Sequence, residues 1–70
     1  MLPKTIPIKR YPELRLAARH LPETARVTPA EALGLYERDA RRLDRQHMSD
    51  AERTLLNDLI REVGRGVFNG

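Results

Sequence analysis

The chain has no cysteine and no tryptophan. Without cysteine no disulfide can staple it, and thiol nucleophiles and thiolate metal ligands are excluded. Serine occurs only at Ser49, and histidine only at His20 and His47. Those groups leave little for nucleophilic or acid–base catalysis. The aromatic residues are Tyr11, Tyr36 and Phe68, too few for a platform on which single-stranded nucleic acid could stack. No stretch approaches the roughly 18 apolar residues of a membrane span. The opening Met1-Leu2-Pro3-Lys4-Thr5-Ile6-Pro7 lacks the apolar run of a secretory signal, so the expected location is cytoplasmic. No glycine-rich phosphate loop occurs, because Gly64-x-Gly66 follows a helix instead of opening one.

What remains is a chain of 70 residues, the size of one small domain over residues 1–70. Hydrophobic residues make up 40% and charged residues 33%, too apolar and too periodic for a disordered chain. The core is nevertheless thin at this size. A thin core without staples raises the expectation that a second copy or a protein partner completes it. The net charge of +3 is unevenly placed. Lys4, Lys9, Arg10, Arg15, Arg19 and Arg26 face only Glu13 and Glu23 in the first part of the chain, whereas cations and carboxylates nearly balance beyond Thr28. The basic part would attract nucleic acid or an acidic protein.

Residues 1–10 read as an extended arm, since Pro3 and Pro7 disfavour helix in themselves and in the residues before them. Ile6 and Ile8 share one face of that arm, and Pro7 between them suits only an edge strand or a surface-laid segment. A first helix is expected over 12–21, with Pro12 in its favoured first position and Pro22 ending it. Two capping boxes, Thr28-Pro29-Ala30-Glu31 and Ser49-Asp50-Ala51-Glu52, then start two further helices. The second runs over 29–46 with a seam of Leu33, Tyr36, Ala40, Leu43 and His47. The third runs over 50–63 with Leu55, Leu56, Leu59, Ile60 and Val63 inward, and Gly64 is its expected left-handed cap. The short connection between them favours an antiparallel hairpin. The expected architecture is therefore all-α: three helices, the last two a hairpin, with an extended N-terminal arm and a short non-helical tail carrying Val67 and Phe68.

Two groups of residues could carry binding. Arg38, Arg41, Arg42 and Arg45 fall at i, i+3, i+4 and i+7 on the predicted second helix, opposite its seam. Such a face could contact phosphates, although Glu37, Asp39 and Asp44 interleave and favour a solvated, salt-bridged surface. Ile6, Ile8, Lys9, Arg10 and Tyr11, with Phe68 from the tail, form the other group: a basic segment with apolar anchors that could dock on a protein. Asp44, His47 and Asp50 do not match a metal-site spacing, and neither metal nor cofactor is expected. Asp50 and Glu52 in the first turn of the third helix, like Glu31 in the second, would repel phosphate and speak against a DNA-reading helix. The expected function is a small non-enzymatic interaction or regulatory module that docks on a protein or on itself, with nucleic-acid binding as the alternative and no small-molecule substrate. Adaptor and antitoxin-like proteins share its size and charge, a likeness of scale and not of motif.

Overall fold

A computed structural model describes residues 2–66 and Phe68. Val67, on which part of the predicted tail contact rested, lies outside the described residues. The elements in chain order are β1 (Ile6–Pro7), a 3₁₀ turn (Ile8–Arg10), α1 (Pro12–Ala17), β2 (Arg26–Val27), α2 (Pro29–Arg38) and α3 (Asp50–Glu62). The molecule is thus mostly helical but not purely so. The arm expected to lie extended is a strand: β1 pairs antiparallel with β2, Ile6 opposite Val27 and Pro7 opposite Arg26. A two-residue edge strand tolerates Pro7, whose missing N–H removes only one donor. Arg26 fastens the pair by donating from Nε to the Thr5 hydroxyl (2.9 Å), and the Ile8 N–H donates to the Ala25 carbonyl (3.3 Å).

The core gathers Ile6, Ile8, Leu14, Ala18, Val27, Ala32, Leu33, Tyr36, Met48, Leu55, Leu56 and Leu59. Helix α2 packs on both α1 and α3. Burying Ile6 and Ile8 completes this core with the chain's own arm, at roughly 1.5–3 kcal/mol per fully buried side chain.

All three helices end earlier than predicted, for identifiable reasons. Helix α1 stops at Ala17 instead of reaching Leu21. Continuing it would drive the Pro22 ring into the carbonyl four residues back, so residues 18–21 turn, with the Leu21 N–H donating to the Ala18 carbonyl (2.8 Å). Helix α2 stops at Arg38, eight residues before the predicted Gln46. Aspartates explain this boundary. Asp44 Oδ1 accepts from the backbone N–H groups of Gln46 and His47, and Asp39 Oδ2 accepts from Arg42 Nε (2.9 Å). Short polar side chains that bond nearby groups offer the backbone an alternative to helix. Residues 39–49 consequently form a string of turns, not the short connection expected between helices. The predicted seam is cut with it: Leu33 and Tyr36 are buried, but His47 is exposed.

The Thr28 capping box forms in full. Thr28 Oγ1 accepts from the Glu31 N–H (3.2 Å), and Glu31 Oε1 accepts from the Thr28 N–H (2.9 Å). The Ser49 box forms only by half, with Ser49 Oγ accepting from the Glu52 N–H (3.2 Å). The Glu52 side chain turns elsewhere. At the other end of α3, the left-handed residues are Arg65 (φ 53°) and Gly66 (φ 86°), not Gly64. Val63 keeps right-handed helical angles, which delays the reversal until the Gly66 N–H reaches the Ile60 carbonyl (2.7 Å).

Candidate functional site

Glu52 is the one buried charged residue among the described residues, 1% exposed. Its Oε1 accepts from the Glu13 N–H (3.2 Å), and its Oε2 accepts from the Leu14 N–H (2.9 Å) and the Tyr36 hydroxyl (2.7 Å). The carboxylate therefore satisfies two of the backbone donors left open at the start of α1, where the helix dipole also favours negative charge. Tyr36 is fully buried instead of keeping its hydroxyl at the rim. Burial first, and donation to Glu52 second, push its hydroxyl pKa far above the usual tyrosine range. Glu52 and Tyr36 thus hold α1, α2 and α3 together, and their polar atoms are spent on one another and on the backbone.

The residues singled out on the arm are dispersed in depth. Ile6 (1% exposed) and Ile8 (0%) sit in the core, and Tyr11 and Phe68 pack half-buried against it. Lys9 and Arg10 alone of that set are exposed. Burial leaves the two isoleucines no surface for a partner in this fold.

The arginine stripe does not exist as one helix face. Arg38 closes α2, while Arg41, Arg42 and Arg45 lie in the turns beyond it. Arg42 is engaged three ways: with Asp39, with Glu13 Oε1 (2.9 Å) and with the Glu13 carbonyl (3.2 Å). It ties the turns after α2 to the start of α1. Arg19 approaches the same Asp39 at 3.8 Å. The Arg45 guanidinium lies 5.3 Å from the centre of the Phe68 ring, a cation–π contact worth about 0.5–1 kcal/mol at an exposed position. That contact folds Phe68 back toward the body of the molecule, one of the two places expected for it. In the turns, His47 Nδ1 bonds Asp44 Oδ2, and this bond is the foremost cause holding the Asp44 carboxyl below the usual range. Among the described residues no group of three His, Cys, Asp or Glu side chains is placed to hold a metal. No helix among them is long and apolar enough to cross a membrane.

An open cleft of about 400 Å³ lies elsewhere, between the turns after α1, strand β2 and the outer side of α2. Leu21, Val27 and Leu35 give it apolar walls, Gly34 opens its α2 side, and His20, Glu31 and Arg38 supply polar groups. Arg38 makes no ion pair among the described residues, whereas Glu31 is committed to the Thr28 cap. Donation by the Thr28 backbone N–H is the main cause holding the Glu31 carboxyl below its ordinary pKa. A smaller depression of about 210 Å³, lined by residues 37–42, adjoins it at Arg38.

Sequence reasoning missed this cleft because its lining comes from a connector and from the polar side of a helix. One signal was present: Gly34 interrupts an otherwise helical run, and such a glycine costs about 1 kcal/mol relative to alanine. No protein-family model matches the chain, and no curated protein or solved structure matches it either.

Proposed function

We propose that the chain is a small non-enzymatic interaction module that docks on a protein partner through the cleft between β2 and α2. The observation that carries this reading is Gly34. A Cβ built there meets nothing within 4 Å, so no packing inside the domain requires glycine. Its absence of a side chain serves only the space outside the helix. The apolar walls and the exposed Arg38 give that space the mixed character of a protein-binding surface.

The rest of the reading follows from size and placement. Helices α2 and α3 act as an antiparallel hairpin scaffold, and the setting is cytoplasmic. No catalytic step belongs to the proposal: the lone serine caps α3 and the exposed His47 is held by Asp44. Nucleic-acid binding through Arg38, Arg41, Arg42 and Arg45 has lost its main support, because Arg42 is neutralised by two carboxylates and Arg45 lies over Phe68.

Two measurements test the reading together. In about 150 mM salt, where a few phosphate contacts no longer suffice, the protein is expected to show no sub-micromolar affinity for duplex or single-stranded nucleic acid. A protein that co-purifies with the wild-type chain is expected to be lost from the Arg38→Glu variant and retained by Arg61→Ala, a control on α3 outside the cleft. Tight, sequence-dependent nucleic-acid binding at that salt, or capture that ignores Arg38→Glu, overturns the proposal.

A further inference from the structure

We infer that the cleft accepts an extended segment of the partner in which an acidic side chain lies next to a large apolar one. The inference rests on the docking reading above and specifies its occupant.

Three observations point to this chemistry. First, the walls are apolar. Val27 is buried, and Leu21 and Leu35 are half-buried and packed against the core from the cleft side. They offer a seat for one apolar side chain, and Gly34 removes the side chain that would otherwise occupy it. Second, the charge not already committed is positive. Glu31 Oε1 is occupied by the Thr28 N–H at the start of α2, while the Arg38 guanidinium is exposed and His20 lies on the same rim. A carboxylate beside the apolar anchor would meet Arg38, whose planar fork suits carboxylates. Third, the shape favours a chain over a small molecule. The cleft reaches the low end of the ligand-site range by volume, but it is open, and a small ligand would keep too much of its surface in water. Strand β2 supplies the complementary element. It pairs with β1 on one edge and belongs to a two-stranded sheet, with no third strand among the described residues. An extended segment beside Val27 could hydrogen-bond with such an edge while its side chains enter the cleft.

The test begins with a random peptide library displayed on phage and panned over the full chain. Enriched peptides are expected to carry Asp or Glu within two positions of Leu, Ile or Phe. A synthetic peptide of that kind should bind with an affinity measurable by fluorescence anisotropy. Gly34→Leu should weaken it at least tenfold, and Arg38→Glu should do the same. Gly34→Ala keeps the test decisive if the leucine variant does not fold. Alanine has room in the free protein and favours the helix, so this variant should melt at a higher temperature than the parent and still bind several-fold more weakly. Enriched peptides that lack an acidic residue but lose binding in the Gly34 variants overturn the inference and leave the docking reading standing. Failure to enrich any peptide, or enrichment of peptides indifferent to the Gly34 variants, overturns both.

Discussion

Glu52 shows how far a single side chain can depart from the role its local sequence suggests. Its position three residues after Ser49 is that of a capping-box glutamate, yet its carboxylate caps a helix 38 residues earlier in the chain. The choice is physical. Reaching back to the Ser49 N–H would satisfy one donor at the surface, whereas reaching α1 satisfies two backbone donors and the Tyr36 hydroxyl in the interior. Unmet buried donors cost about 1–3 kcal/mol each, so the interior arrangement wins. Glu52→Ala should therefore destabilise the protein by about 3 kcal/mol or more in urea unfolding, and Tyr36→Phe by about 1.5–3 kcal/mol. A loss below about 1 kcal/mol for Glu52→Ala would show that the network is not formed. Tyr36 also sets an alkaline limit. Its folded pKa lies above its unfolded one, so between them the unfolded state loses a proton that the folded state keeps. The contribution is complete below about pH 10 and is lost progressively as the pH rises above it. Stability should fall over that range in the parent, and the fall should flatten in Tyr36→Phe.

At the level of elements, the two helix starts make a matched comparison. Thr28 and Glu31 exchange bonds, while Ser49 receives one and returns none. Thr28→Ala and Ser49→Ala are each expected to cost about 0.5–2 kcal/mol. Glu31→Gln should destabilise α2 locally, whereas Glu52→Gln should act mainly on α1. Amide exchange resolves the two: faster exchange at the Glu13 and Leu14 amides in Glu52→Gln is the expected signature, and unchanged exchange there would count against the cross-element cap. Helix starts were legible in the sequence because their signals are local: a hydroxyl, a proline, a glutamate three residues on. Helix ends were less so. The ends of α1 and α2 depend on how Pro22, Asp39 and Asp44 compete with the helix for backbone groups, and α2 also on Arg42 being drawn toward Glu13. The pairing of β1 with β2 was hidden for the same reason. Two-residue strands carry no periodicity, and Val27 looked like part of a connector. The arginine spacing was real in sequence but needed an unbroken helix to become a face.

For the whole molecule, the decisive fact is that the N-terminal arm belongs to the core. A domain of this size has a total stability on the order of 5 kcal/mol, and truncating one buried isoleucine removes about 2–5 kcal/mol. Ile8→Ala is thus expected to leave the protein at the edge of folding. A chain starting at Lys9 should show neither a cooperative thermal transition nor the helical circular dichroism of the parent. A cooperative melt from that shortened chain would mean that the arm lies outside the core. With the arm enclosed, the cleft beside Gly34 becomes the more prominent surface on which a partner could rest, and the candidate site moves from the arm's apolar anchors to residues that the hydropathy pattern did not mark.

The link between Glu52 and α1 also has a consequence for biosynthesis. Translation delivers α1 first, yet this helix is a six-residue element, too short to persist alone, and the group that caps it is encoded near the far end of the gene. Until Glu52 has been synthesised and has left the ribosome, the preceding stretch has neither its buried acceptor nor α3 to pack the core against. The nascent chain therefore remains exposed to proteases and chaperones through most of its elongation, and folding begins only when its two ends can meet.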